Sequence, residues 1–188
     1  MIQAVIFDCF GVLLIDATQS LLEKYSKKKD RLLEVRRQAD AGFLNRSQLL
    51  EQFSEIIGMS TSEVDAVFRS EHQINQPLVE AINALKKQNY QIGMITNLGS
   101  GWIDELVPRK IQDLFDDIVV SGEVKMTKPS SEIYELSLYN LNVQAKEAVF
   151  IDDIEANCWA AKDVGMQAIH YINIKNLTDS FIKLDIKI

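Results

Sequence analysis

The chain has 188 residues, 47% hydrophobic and 25% charged, and its 27 acidic against 20 basic residues leave a net charge of -7. That length suits one α/β core with at most a modest insertion. The acidic balance argues against nucleic acid or an anionic membrane as partner, since both need clustered Lys and Arg, but not against a small phosphorylated ligand held by a local metal and lysine.

The opening MIQAVIFDCFGVLL is apolar but has no basic flank and no small-residue cleavage site, so it reads as a buried strand. Its β-rich part is AVIF, ending at Asp8. Residues 15–76 then contain few β-rich runs and several helical ones, around Leu21, Leu32 and Leu49, and read as a helical insertion. Lys27, Lys28 and Lys29 are expected on a solvated face. Pro77 sits where a first helical turn would place it, with Leu78, Ile82 and Leu85 on one stripe. QIGMIT at 91–96 and DIVV at 117–120 read as strands; Ile133, Tyr134, Leu138 and Leu141 make a helix face after Pro129. AVFI at 148–151 is a strand ending at Asp152, Ala156, Ala160 and Val164 a helix stopped by Gly165, and AIHYI at 168–172 a last strand.

Alternating short apolar runs and helices argue for a three-layer, Rossmann-like α/β fold with a parallel sheet buried on both faces. The core is expected over 1–14 and 77–188, and a small helical cap over 15–76, inserted after the first strand. No apolar run approaches the roughly 18–20 residues of a membrane span. Cys9 and Cys158 lack CxxC spacing, which speaks against a disulfide framework or zinc site. The expected location is the cytoplasm.

Three predicted strands end in polar residues: Asp8, Thr96-Asn97 and Asp152-Asp153. Ligands bind at the carboxyl ends of strands in open parallel sheets, so these residues should converge. Singly they also read as turn or capping residues, and Lys128 as a surface lysine before Pro129. Together they resemble the haloacid dehalogenase (HAD) superfamily over nearly the whole chain. Phe7-Asp8-Cys9-Phe10-Gly11 resembles its first motif, Met94-Ile95-Thr96-Asn97 its second, Lys128-Pro129 its third and Phe150-Ile151-Asp152-Asp153 its fourth. The helical insertion resembles the small cap of subclass I.

That resemblance implies a Mg²⁺-dependent hydrolase acting on a small phosphorylated metabolite. Asp8 would be the nucleophile, Lys128 the charge partner, and Thr96 and Asn97 the phosphate and substrate contacts. Asp8, Asp153 and the backbone carbonyl of Phe10 would hold the metal, and Asp152 would support it through water. Asn157 falls where many relatives carry an acid, and reads equally as a functional amide or a first-turn residue.

The sequence departs from the family pattern at Phe10, where most phosphatases carry an acid that protonates the leaving group. Three readings compete: a phosphatase for a leaving group of low basicity, such as a sugar 1-phosphate; a fold-sharing protein with weak or absent catalysis; and a 2-haloacid dehalogenase, disfavoured by the Asp152-Asp153 pair. Asp16 and Asp40 are candidate substitute acids. Arg36, Arg37 and Ala41-Gly42-Phe43 are expected on the inner face of the cap. Cys9, Cys158, Trp159 and His170 are expected as packing residues and His72 as a linker.

Overall fold

The computed structural model describes residues 1–14, 17–71 and 73–188, so the expectations for Asp16 and His72 lie outside the described residues. The sheet consists of β1 (Ala4–Phe7), β2 (Gln91–Thr96), β3 (Asp117–Val120), β4 (Ala148–Asp152) and β5 (Gln167–His170), in the order β3-β2-β1-β4-β5. All four neighbouring pairs are parallel, with Phe7 opposite both Met94 and Ile151. The chain builds outward from β1 on one side, then crosses to build on the other. The carboxyl end of β1 therefore lies where the winding reverses, the place such sheets leave open for a ligand.

The helices of the described residues run α1 (Ala17–Lys24), α2 (Lys29–Asp40), α3 (Arg46–Ile57), α4 (Thr61–Glu71), α5 (Gln76–Lys87), α6 (Ile103–Leu106), α7 (Arg109–Gln112), α8 (Ser121–Val124), α9 (Ser131–Asn140), α10 (Glu155–Asp163) and α11 (Ile174–Lys183). Side chains alternate across a strand. Val5 and Phe7 therefore join one core with Leu78, Ile82 and Leu85 of α5 and Leu177 and Phe181 of α11. Ala4 and Ile6 join the opposite core with Ile133 and Tyr134 of α9 and Ala161 of α10. β1 and β4 are buried at every position, as their unbroken apolar runs predict. No described helix is long and apolar enough to cross a membrane.

Local chemistry explains where several helices begin and end. Asn45 caps α3 with a reciprocal bond pattern to Gln48, and Gly58 closes it in the left-handed region at φ 81°. Asn75 caps α5, whose first turn carries the expected proline. The last strand begins one residue earlier than its apolar run suggests and stops at His170, leaving Ile172 67% exposed.

Helices α1 to α4 share an apolar cluster of their own, including Leu32, Val35, Leu49, Phe53 and Val64. The Ser121 hydroxyl donates to the Asp40 carbonyl, and Lys125 Nζ to the Gly42 carbonyl at 2.7 Å. Gly42 has φ +75°, and a Cβ there would strike the Gly122 carbonyl and Lys125, so a glycine lets this turn seat against α8. Arg46 pairs with Asp65, and both Arg46 and Arg69 reach Glu105 of α6, at 3.5 and 2.9 Å.

Candidate active site

Asp8 follows β1 directly, and its N–H extends the ladder by donating to the Ile151 carbonyl at 2.8 Å. Its Oδ1 accepts from Cys9 N at 2.6 Å and from Lys128 Nζ at 2.7 Å. The chain turns back at once: the N–H groups of Leu13 and Leu14 both donate to the Cys9 carbonyl. Gly11 makes the turn possible with φ +81°, and any Cβ there would run into the Asp153 carboxylate. The loop therefore lies hard against the end of β4.

Lys128 arrives from the segment between α8 and α9. Its buried ammonium bridges Asp8 Oδ1 and Asp152 Oδ2, both at 2.7 Å. Asp152 is fully buried. Its second oxygen accepts from Ile154 N at 2.7 Å, and Oδ2 also accepts from Asn157 Nδ2 at 3.0 Å. Asn157, in the first turn of α10, is thus a buried amide that orients the Asp152 carboxylate. The Asn97 amide is committed to the backbone of Lys128, donating to its carbonyl and accepting from its N–H, both at 2.9 Å. It positions the lysine while its side chain also lines the cleft.

Thr96 closes β2, next to β1. Its hydroxyl is buried and has no hydrogen-bond partner among the described residues. An orphaned hydroxyl carries a desolvation cost unless something accepts from it or donates to it. At a strand end beside Asp8, it suits an oxyanion.

Asp8, Asp152 and Asp153 each present an oxygen within 4.8 Å of the others. Asp8 and Asp152 are buried and share the Lys128 ammonium, while Asp153 is exposed at the cleft. Burial pushes the Asp8 carboxyl up to about 7, with Lys128 opposing and Asp152 and Asp153 adding to the rise. Burial also disfavours the Lys128 ammonium, but Asp8 and Asp152 outweigh that and hold it above the ordinary lysine range. Three clustered carboxylates offer the hard oxygen donors that suit a small dication such as Mg²⁺.

The cleft holding Asp8, Lys128, Asp153 and Asn157 is also walled by Phe10 and by Arg36, Arg37 and Asp40 of α2. Both expected arginines therefore face it. Phe43 does not, being 79% exposed. Asp40 Oδ2 lies 3.7 Å from Arg36 Nε. Cys9 and Cys158 are buried and form no disulfide, as expected for packing residues. Trp159 and His170 are corrections. Trp159 is 57% exposed, on the solvent side of α10 with Lys162 over its ring. His170 is exposed and its Nε2 lies 2.9 Å from the Asp153 carbonyl; a carbonyl only accepts, so that nitrogen carries the proton. Ser121 is a residue that the reading of motifs passes over. It is buried, accepts from Leu98 N at 2.9 Å, and at the same time holds α2 through the Asp40 carbonyl. The signal for it is the one that marks Asp8 and Thr96: a polar residue at the end of a β-rich run.

Residues 5–171 match the haloacid dehalogenase-like hydrolase family, and the chain belongs to it. Among curated relatives, a sesquiterpene phosphatase of Aspergillus oryzae is 31% identical, over 95% of this chain and 91% of its own. A phosphorylated carbohydrates phosphatase of Thermotoga maritima is 26% identical, over 94% and 88%. In fold the chain is similar to a HAD family enzyme of Bacteroides thetaiotaomicron in complex with magnesium and inorganic phosphate. The TM-score is 0.72, at 23% identity, over 89% of this chain and 93% of that one.

Proposed function

We propose that the protein is a Mg²⁺-dependent phosphomonoester hydrolase that works through an aspartyl-phosphate on Asp8. The observation that carries this is the buried Asp8–Lys128–Asp152 triad, with Asp153 beside it and the Thr96 hydroxyl waiting for an acceptor. The two phosphatase relatives and the Mg²⁺–phosphate complex of a structural neighbour support it.

Asp8 attacks phosphorus, the bond from phosphorus to the ester oxygen breaks, and the alkoxide leaves. Water then attacks the acyl phosphate at phosphorus, releasing phosphate and restoring Asp8. Lys128 neutralises charge on Asp8 and the transferring group, and is itself aimed by Asp152 and Asn97. The Thr96 hydroxyl donates to a phosphoryl oxygen. Asp8, Asp153 and the Phe10 carbonyl would hold Mg²⁺, with Asp152 supporting it through water. The ion supplies charge that lets an anionic nucleophile meet an anionic phosphoryl group. Helices α1 to α4 act as a cap over residues 15–76, closing on the core of 1–14 and 77–188. A small phosphorylated metabolite in the cytoplasm is the expected substrate.

Phe10 cannot donate a proton, so departure of the alkoxide is the slow step. Aryl phosphates should react at least tenfold faster than alkyl phosphates of similar size, and a flat dependence on leaving-group acidity would contradict this reading of Phe10. Asp8→Asn and EDTA should each abolish turnover; activity surviving Asp8→Asn rules out the mechanism.

A further inference from the structure

Between the helical layer and the sheet domain lies an apolar cavity with no assigned use. Its walls include Leu49, Phe53 and Phe68 from one side and Leu98, Trp102 and Leu106 from the other. Phe10, Arg36, Asp40 and Asn97 line both this cavity and the cleft that holds Asp8 and Lys128. The two spaces are therefore neighbours across Phe10, two residues from the reacting carboxylate.

We propose that this cavity seats the hydrocarbon body of the substrate, so that the enzyme prefers phosphomonoesters of apolar alcohols; the proposal rests on Asp8 acting on phosphomonoesters. The wall offers little to a polyhydroxylated body. Of its two cationic members, Arg46 is engaged by Asp65 and Glu105 and Arg36 lies 3.7 Å from Asp40, while Asn97 is engaged by the Lys128 backbone; Trp102 Nε1 is a buried donor with no partner among the described residues. Trp102 Nε1 could serve one hydroxyl, but the several hydroxyls of a sugar would lose water and most would gain no partner. A hydrocarbon gains by the same burial, and Phe10 extends the apolar wall to the ester oxygen. The residue that removes a proton donor thus supplies contact area where the leaving group passes.

The test is kcat/KM for a series of n-alkyl phosphates from ethyl to octyl, with Mg²⁺. The alcohols differ little in acidity, so chain length varies apolar area alone. We expect a rise of roughly threefold to fourfold per methylene until the cavity is filled, the value of one buried methylene. Leu106→Gln should flatten that slope. A flat or falling profile in the wild-type protein, with phenyl phosphate still hydrolysed, overturns the cavity's role and leaves the phosphatase reading intact. If no phosphate ester is turned over, the phosphatase reading falls, and binding decides the cavity by itself. In Trp159→Phe protein, the emission of Trp102 is titrated with n-alkyl phosphonates. Affinity rising with chain length supports an apolar site, and equal affinity for methyl and octyl phosphonate overturns it.

Discussion

Lys128 holds two buried carboxylates at 2.7 Å each, and its removal is costlier than the loss of two ordinary ion pairs. Lys128→Met would leave Asp8 and Asp152 facing each other without the ammonium between them. Breaking a buried ion pair on one side costs about 3–5 kcal/mol. We expect the unfolding free energy in urea, without divalent ions, to drop by that order; a change under about 1 kcal/mol would mean the triad is not buried as described. Cys158 gives a second test. Burial, then Asp152, pushes its thiol up to about 11, and it is nearly inaccessible to solvent. At pH 8 it should stay a protonated thiol and resist alkylation in the native protein, reacting only on unfolding. Rapid modification of both cysteines under native conditions would contradict this. The candidate site residues Asp8, Thr96, Lys128, Asp152 and Asp153 are legible in the sequence because each stands at a strand end or before a proline, where a polar residue is conspicuous. Their bond partners are not. Nothing local to Asn97 shows that its amide meets the Lys128 backbone, 31 residues on. Asn157 resembles any first-turn residue until Asp152 is placed beside it.

Helices α3 and α4 are tied to α6 by Arg46 and Arg69, which converge on Asp65 and Glu105. Burial tends to raise the Asp65 carboxyl, but hydrogen bonds and charge from Arg69 and Arg46 together hold it below the ordinary range. A depressed folded-state value stabilises the protein above the unfolded value, near 3.9, and is lost as pH falls through the folded one. Asp65→Asn should therefore destabilise the protein at neutral pH, with the gap to wild type closing below about pH 4. The cluster is partly exposed, so the neutral-pH cost should be modest, about 1 kcal/mol. Denaturant titrations across that pH range check it, and a gap that widens in acid would contradict the pairing. At this scale β2 and β3 are legible to the residue, since their β-rich runs have sharp polar ends, although β3 at the sheet edge is buried only in its second half. The short helices α6 and α7 are not: each is a single turn, α6 tied to the layer above through Glu105 and α7 held by Ile111 in the core and by Gln112 on Asp104 and the Val107 carbonyl. The ten residues of α11 carry a clear stripe in Leu177 and Phe181, but its surface only acquires meaning against the core over β1.

Across the whole molecule, strand order places β1 at the centre and brings residues from four separate stretches to one point. The alternation of strands and helices predicts a parallel sheet, but not which strand lies in the middle; that depends on contacts between distant segments. Local excess of carboxylates at that point agrees with the net charge of -7 but does not follow from it. A dication bound only by the folded state should raise stability by mass action, about 2.7 kcal/mol at a hundredfold excess over its dissociation constant. Thermal unfolding with Mg²⁺ and with EDTA should differ in wild type and much less in Asp153→Asn. The decisive measurement is chemical trapping at Asp8. Borohydride added during turnover of phenyl phosphate with Mg²⁺ reduces an acyl phosphate to the alcohol, and peptide mass spectrometry should then find homoserine at position 8. Turnover that continues with Asp8 unmodified would contradict a covalent phosphoryl intermediate on this residue.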